Sequence, residues 1–491
     1  MTKTTLPRAA LETRIDAFLA QQIDPVRTEL PLKTYVPTPS WNRFDLGFKL
    51  LWLDGRRAGG SPFADRLYEE HIAAFSLGDM IEPGSDGKTG IARYRDDFDA
   101  LMESMETSGF DPMRSLVPLA SDGSLLNAGH RAACAIALGT TVTAVETGLE
   151  PKVFDYRFFA GRGMAEADLD ASAIRLVEAM PHAAVALLWP AAKGREREVE
   201  QLIGPLTYRR ALQLSLHAGH TLLTRVYPNE PWIGPSEENF PGIRRKLLEC
   251  FSGPGPLRVL VFDAPPDLDR VALKDEIRAL YRIAKSSVHI TDTHREAVEL
   301  AHLLLNPNAR HFLEHGHPMA FAETRAHLET LATWRDARGL TADAFAVDTG
   351  MVMGLYGVRP PTDIDVIAPA PLPEGAPGTT IEQHEGGYHS APPAEIPRNP
   401  ALHFRYAGLS YVSLPEVAAL KARRLAGQDR EDLLRIEPLL VAQDKRPARR
   451  PLSLRARFAM LRLRRSLIRA LMGTGLGQPL RKAYRKTLRR G

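Results

Sequence analysis

The sequence predicts an α/β and α+β multidomain protein with three globular regions and a basic helical tail. Three observations predict it. The chain has 491 residues, more than one hydrophobic core organises. Short aliphatic runs alternate with helix-length amphipathic stretches. Charge is divided unevenly: Lys445 to Gly491 holds 16 Lys/Arg and no Asp/Glu, leaving 47 basic against 59 acidic residues in the body. An acidic body argues against general nucleic-acid binding, which needs a basic footprint on the folded domain. Cys134 and Cys250 are the only cysteines, which argues against a disulfide framework or a structural zinc site. Met1-Thr2-Lys3-Thr4 opens no apolar signal segment, and no run reaches the ~18–20 residues of a membrane span. A reducing cytoplasm is the expected location.

The first region, 1–155, is expected to carry a helix through Leu67–Ile72, a turn at Pro83-Gly84 and a helix from Tyr94 to Met105. A strand over Ser115–Leu119 follows, then a turn at Ser121-Asp122-Gly123, a short strand at Leu125-Leu126, and a helix from Arg131 to Leu138 closed by Gly139. The second region, 156–330, has an α/β pattern. Val185–Pro190 and Leu257–Phe262 read as buried strands; Glu196–Ile203, Val271–Ile283 and Arg295–Leu305 read as helices. The third region, 331–442, opens with a helix around Ala326–Ala337. It continues into a Pro/Gly-rich loop over 368–400 with a strand near Thr379–Glu382. The tail spans 443–491.

The third region holds the most informative pattern. Val347-Asp348-Thr349-Gly350-Met351 is followed by Gly357-Val358-Arg359 and Thr362-Asp363-Ile364-Asp365-Val366-Ile367. Strand side chains alternate, so Asp363 and Asp365 share one face and Ile364 and Val366 the other. Two carboxylates so close repel each other, and a divalent cation such as Mg²⁺, held by carboxylates and substrate phosphates, relieves the repulsion. The bland alternative is a strand end whose charges face water.

The order of glycine turn, helix, Gly-x-Arg and Asp-x-Asp resembles the polymerase-beta-type nucleotidyltransferase superfamily. The resemblance implies that Asp363 and Asp365 are metal ligands and that Gly350 and the backbone of Met351 meet nucleotide phosphates. Arg359 joins them at the cofactor, and Glu382, or failing it Glu385, supplies a third carboxylate. Downstream, Phe404-x-Tyr406-x-Gly408-x-x-Tyr411 leads to Lys421 and Asp432. By the same resemblance Lys421 meets a phosphate and Asp432 orients it; the alternative is a solvated helix face.

The first region carries a second pattern, Asp122-Gly123-Ser124-Leu125-Leu126-Asn127-Ala128-Gly129-His130-Arg131. A strand delivers a glycine turn and a helix starts on His-Arg, where N–H groups and a guanidinium can hold phosphate. This resembles the ParB/sulfiredoxin fold, which implies that Gly129, His130 and Arg131 contact a nucleotide. Glu69 or Glu70 is a candidate base. The alternative is a His130 satisfied by a carbonyl and an Arg131 in a surface ion pair.

In the middle region Thr291/Asp292 is expected to cap the next helix, and His289, Asp292 and Lys285 lie where strand ends meet helix starts. Trp189, Tyr227 and Trp232 offer aromatic platforms or core. In the tail Phe458, Leu461, Ile468 and Leu471 share a helical face among arginines. That suits an anionic membrane surface, at the inner face of the membrane; nucleic acid, or the acidic body of another copy, is the rival partner. The combination of regions is similar to uncharacterised bacterial proteins associated with surface-polysaccharide synthesis.

The expected function is a Mg²⁺-dependent nucleotidyl- or phosphoryl-transferase. Its donor would be a nucleoside triphosphate or nucleotide-activated compound, and its acceptor a sugar, sugar phosphate or glycan. The alternatives are a non-catalytic nucleotide-sensing scaffold at the membrane and a small-molecule kinase with its chemistry in the first region.

Overall fold

The computed structural model describes residues 4–443 apart from 12, 82–88, 229 and 374–380, together with residues 456, 459, 460 and 463 of the tail. The expected turn at Pro83-Gly84, Thr379 and the apolar face of the tail lie outside the described residues. Ala456, Ala459, Met460 and Leu463 are helical and exposed.

Each sequence region contributes one sheet. In the first, strands Thr5–Pro7, Glu29–Tyr35, Val142–Glu146 and Val117–Leu119 lie side by side in that order. Val117–Leu119 runs parallel to Val142–Glu146, with the Gly129–Leu138 helix between them in sequence. Gly139 ends that helix in the left-handed region at φ 64°, a conformation glycine adopts without steric cost. The expected strand at Leu125-Leu126 is reduced to one bridge between Leu119 and Leu125.

The middle sheet has the order Leu206–Leu212, Leu257–Asp263, Ala183–Leu188, Val288–Ile290. The Ala183–Leu188 strand is buried at all six positions, as expected of a strand covered on both faces. The helices Glu196–Ile203, Arg270–Tyr281 and His294–Leu305 fall where amphipathic spacing put them. Strand pairing is antiparallel throughout. The alternation of strand and helix predicts layers but not strand direction. Between Leu212 and Leu257 the helices return the chain to the end of the sheet it left. Thr293, not Thr291 or Asp292, caps the His294–Leu305 helix, its hydroxyl accepting from Glu296 N–H at 3.2 Å. Thr291 turns inward and its hydroxyl accepts from Val185 N–H at 3.0 Å.

The third sheet is mixed, in the order Ile381–His384, Ile364–Ile367, Ala346–Val347, Leu409–Val412, His403–Tyr406. Buried apolar side chains from all three regions form one continuous cluster, from Phe44 through Leu187 to Ile436. The Asp45–Arg57 and Glu166–Ala179 helices approach so closely that a Cβ on Gly47 would lie 2.6 Å from Ser172 O. Among the described residues no helix is long and apolar enough to cross a membrane.

Candidate functional site

The Ala346–Val347 strand ends at Asp348, whose Oδ1 accepts the Thr349 N–H at 2.7 Å and caps the Thr349–Leu355 helix. Gly350 therefore sits inside a helix rather than in a turn. Its small size matters, because a Cβ there would lie 3.3 Å from Asp363 Oδ1. The Met351 N–H, expected to face a phosphate, donates to Asp348 O at 3.2 Å, and the Met351 side chain is buried.

Asp363 precedes the Ile364–Ile367 strand and is exposed, while Ile364 and Val366 are buried on the other face. Asp365 accepts the Thr349 hydroxyl at 2.6 Å on Oδ2 and meets His384 Nε2 at 2.8 Å on Oδ1. Both aspartates thus lie over the first two residues of one helix. The Ile381–His384 strand runs parallel to Ile364–Ile367 and sets Glu382 beside Asp365 in register. Parallel register puts the two on the same face of the sheet. Glu385 lies one residue past the end of that strand. Among the described residues no group of three or more His, Cys, Asp or Glu side chains is arranged to hold a metal ion.

Arg359, Lys421 and Asp432 are brought together, but with one another. Arg359 Nε meets Asp432 Oδ1 at 3.0 Å, and Lys421 Nζ meets Asp432 Oδ2 at 2.8 Å and Asp429 Oδ1 at 3.1 Å. Arg424 adds a second cation on Asp429 at 2.8 Å. Lys421 is 1% and Asp432 0% exposed. Lys421 is therefore not on a solvated helix face: it is buried in a network joining the Leu414–Arg424 and Asp429–Gln443 helices to the Gly357–Arg359 turn. Spacing along a helix does not reveal which side chains the fold closes over.

Sequence reasoning missed His389, which lies in the Pro/Gly-rich stretch. Its Nε2 meets Asp348 Oδ2 at 2.8 Å and its Nδ1 lies 3.6 Å from Glu416 Oε1, with all three side chains buried. Burial lowers the His389 pKa, but hydrogen bonds and charges from Asp348 and Glu416 outweigh it and raise the pKa to about 9. Burial raises the Glu416 pKa, but His389 and Ser390 bring it down to about 2. The protonated imidazole pins the 386–400 segment over the helix that underlies the aspartates. A raised imidazole pKa stabilises fully below the unfolded value near ~6.5, and the stabilisation is lost as pH rises through about 9. Urea unfolding of the wild type should lose about 2–3 kcal/mol between pH 6 and 9.5 relative to His389→Gln. Parallel pH profiles for the two proteins would remove this role.

In the first region Ala128 adopts φ 66° and Gly129 begins the helix. His130 Nε2 meets the Tyr68 hydroxyl at 2.8 Å, and its ring packs edge-on to Phe98. A cavity of about 410 Å³ opens here, lined by Arg43, Lys49, His130, Lys152 and Arg162 beside Phe75 and Phe154. At its floor Arg43 holds Asp45 through two bonds of 2.8 Å and Lys49 adds a third of 2.8 Å. Burial pushes the Asp45 carboxyl up, but the two cations hold it well below the usual carboxylate range. Arg131 does not line this cavity; it donates to Leu116 O at 2.7 Å and faces a neighbouring cleft. Glu70 pairs with Arg66 and Glu69 with Arg95, and neither is among the lining residues. The basic set went unread because its members are scattered; the Asp45 to Lys49 spacing, one helical turn, was the available signal.

A Cβ on Gly129 would lie 2.6 Å from Arg43 Nη2 and 2.8 Å from Asp45 Oδ2. Gly129→Ala is therefore expected to cost about 1–3 kcal/mol by displacing a buried ion pair. An unchanged thermal midpoint would show that the helix start has room to spare.

Of the middle-region candidates, Trp189 is core, at 0% exposure. Trp232 is exposed and packs against Tyr227 at 5.3 Å. Burial, with the Lys274 charge, lowers the His289 pKa to about 4. Asp292 pairs with Lys274, and Lys285 accepts from Lys246 Nζ through its backbone oxygen at 2.9 Å. Comparison with family models, curated proteins and solved structures finds no match for this chain.

Proposed function

We propose that the protein is a Mg²⁺-dependent nucleotidyl- or phosphoryl-transferase acting on a sugar, sugar phosphate or glycan. The observation that carries this reading is the carboxylate row at the start of the paired Ile364–Ile367 and Ile381–His384 strands. Asp363 is exposed, Asp365 is anchored by Thr349, and Glu382 stands beside Asp365 in register. Mg²⁺ is typically bound by one or two carboxylates with substrate phosphates completing its shell, so Asp363 and Asp365 suffice as protein donors. When bound, the cation would neutralise charge on the transferred phosphorus. Thr349 fixes the Asp365 carboxylate, and Gly350 leaves space for that of Asp363.

A second reading is favoured by the cavity beside His130. Its lining offers Arg43, Lys49, Lys152 and Arg162 against Asp16 and Asp45, together with aromatic rings. That combination suits a phosphorylated aromatic ligand, a nucleotide, held by cations and stacked on rings. The two readings separate in one experiment. Pyrophosphate release or transfer of labelled phosphorus that is lost in Asp363→Asn but kept in Lys152→Ala supports the transferase. Nucleotide binding without turnover, weakened by Lys152→Ala alone, supports a sensor built on the first region.

A further inference from the structure

The tail face expected from Phe458, Leu461, Ile468 and Leu471 lies outside the described residues, but a second apolar stripe does not. Ala456, Ala459, Met460 and Leu463 are helical and exposed. Their spacing is i, i+3, i+4 and i+7, which sets them on one face of a helix. Met460 is 61% and Leu463 63% exposed, so the folded body leaves these two side chains uncovered. In the sequence the same steps reach Leu467 and Ala470. Arg455, Arg457, Arg462, Arg464, Arg465 and Arg469 all fall off those steps. Helical spacing therefore separates this stripe from the arginines.

Lys445 to Gly491 holds 16 Lys/Arg and no Asp/Glu. A partner that satisfies both features offers negative charge and an apolar medium side by side. An anionic bilayer does so in one plane, with headgroup charge for the arginines and acyl chains for the stripe. Nucleic acid offers the charge, but it rewards aromatic rings that stack on bases. Phe458 and Tyr484 are the only aromatic residues in this stretch. The acidic surface of a second copy offers carboxylates, which do nothing for the stripe. Six arginines between 455 and 469 also suit a helix lying in the interface, because a charge at the bilayer centre is expensive. The long arginine stem can lie along apolar surface while its guanidinium reaches the headgroups.

We propose that the tail binds the surface of an anionic lipid bilayer, with Met460 and Leu463 entering the acyl-chain boundary and the arginines meeting lipid phosphates. The body, with 47 basic against 59 acidic residues, is repelled by the same surface, so the tail is the element that holds the protein there. The proposal goes beyond the transferase reading and does not rest on it, because its test reads binding and not turnover.

The test is co-sedimentation of the full chain with vesicles. One set is phosphatidylcholine alone; the other contains about 30% phosphatidylglycerol. Binding to the anionic set is expected to be at least ~10-fold stronger, and to weaken as NaCl rises from about 0.1 to about 0.5 M. Met460→Ser combined with Leu463→Ser should weaken it at least ~10-fold, because two apolar side chains lose their insertion. Both side chains are exposed, so the thermal midpoint should not move. Arg462→Gln, Arg464→Gln and Arg465→Gln together should weaken binding by at least ~10-fold and flatten its salt dependence. Cys134 and Cys250 are buried, so Leu463→Cys can be labelled selectively with nitrobenzoxadiazole. Its emission should brighten and shift to the blue on anionic vesicles. No pelleting with the anionic set, equal pelleting with both sets, or wild-type binding by the serine variant overturns the proposal. So does an unshifted label, preference for duplex DNA or single-stranded RNA over vesicles in competition, or self-association without pelleting.

Discussion

Asp363→Asn and Asp365→Asn are each expected to lower Mg²⁺-dependent transfer by at least ~100-fold, since a metal contributes several kcal/mol of charge stabilisation to phosphoryl transfer. The fold should survive. Asp363 is exposed, and an asparagine at 365 can still accept the Thr349 hydroxyl that Asp365 accepts at 2.6 Å. The effect should fall on kcat more than on KM, because neutralisation matters most where charge develops. Raising Mg²⁺ should partly rescue Asp363→Asn, whose side chain is the more open of the two. Wild-type pyrophosphate release in both variants would falsify the transferase reading and leave the cavity beside His130 as the leading nucleotide site.

Lys421→Met is expected to cost about 3 kcal/mol of stability. The methionine fills much the same volume, so packing changes little. What changes is electrostatic: Lys421 Nζ serves Asp432 at 2.8 Å and Asp429 at 3.1 Å, and both carboxylates are buried. Burial raises the Asp432 pKa, but Arg359 and Lys421 together hold it below the ordinary value. Losing one cation leaves Asp432 with Arg359 and Asp429 with Arg424, which places the cost toward the lower end for a broken buried pair. Urea unfolding should show a lower midpoint with an unchanged slope. A normal midpoint with a raised KM for nucleotide would instead return Lys421 to the phosphate.

The sequence carried the local elements well. The Ile364–Ile367 strand was legible because its apolar residues alternate with charge, and the Glu196–Ile203 helix because its apolar face repeats at helical spacing. Gly139 marked a helix end because left-handed backbone selects glycine. Asp363 and Asp365 were legible for the same periodic reason. Other parts were not. His389 lies in a stretch whose composition says only loop, and its partners Asp348 and Glu416 are 41 and 27 positions away. Lys421 and Asp432 looked like a helix face because spacing reports angular position and not what packs above it. Arg43, Lys49, Lys152 and Arg162 share a cavity through the closure of separate segments, which no local window contains.

The amino-acid order by itself indicated part of the secondary structure, the Ile364–Ile367 strand and the Glu196–Ile203 helix among it, and the two acidic side chains that share one strand face, because each depends on backbone periodicity over a few neighbouring residues. Only the tertiary structure decided which charges became internal partners and which way the middle strands run. Those outcomes depend on burial. Once water is excluded, each polar atom must find a partner in space, and the partner's distance along the chain no longer matters.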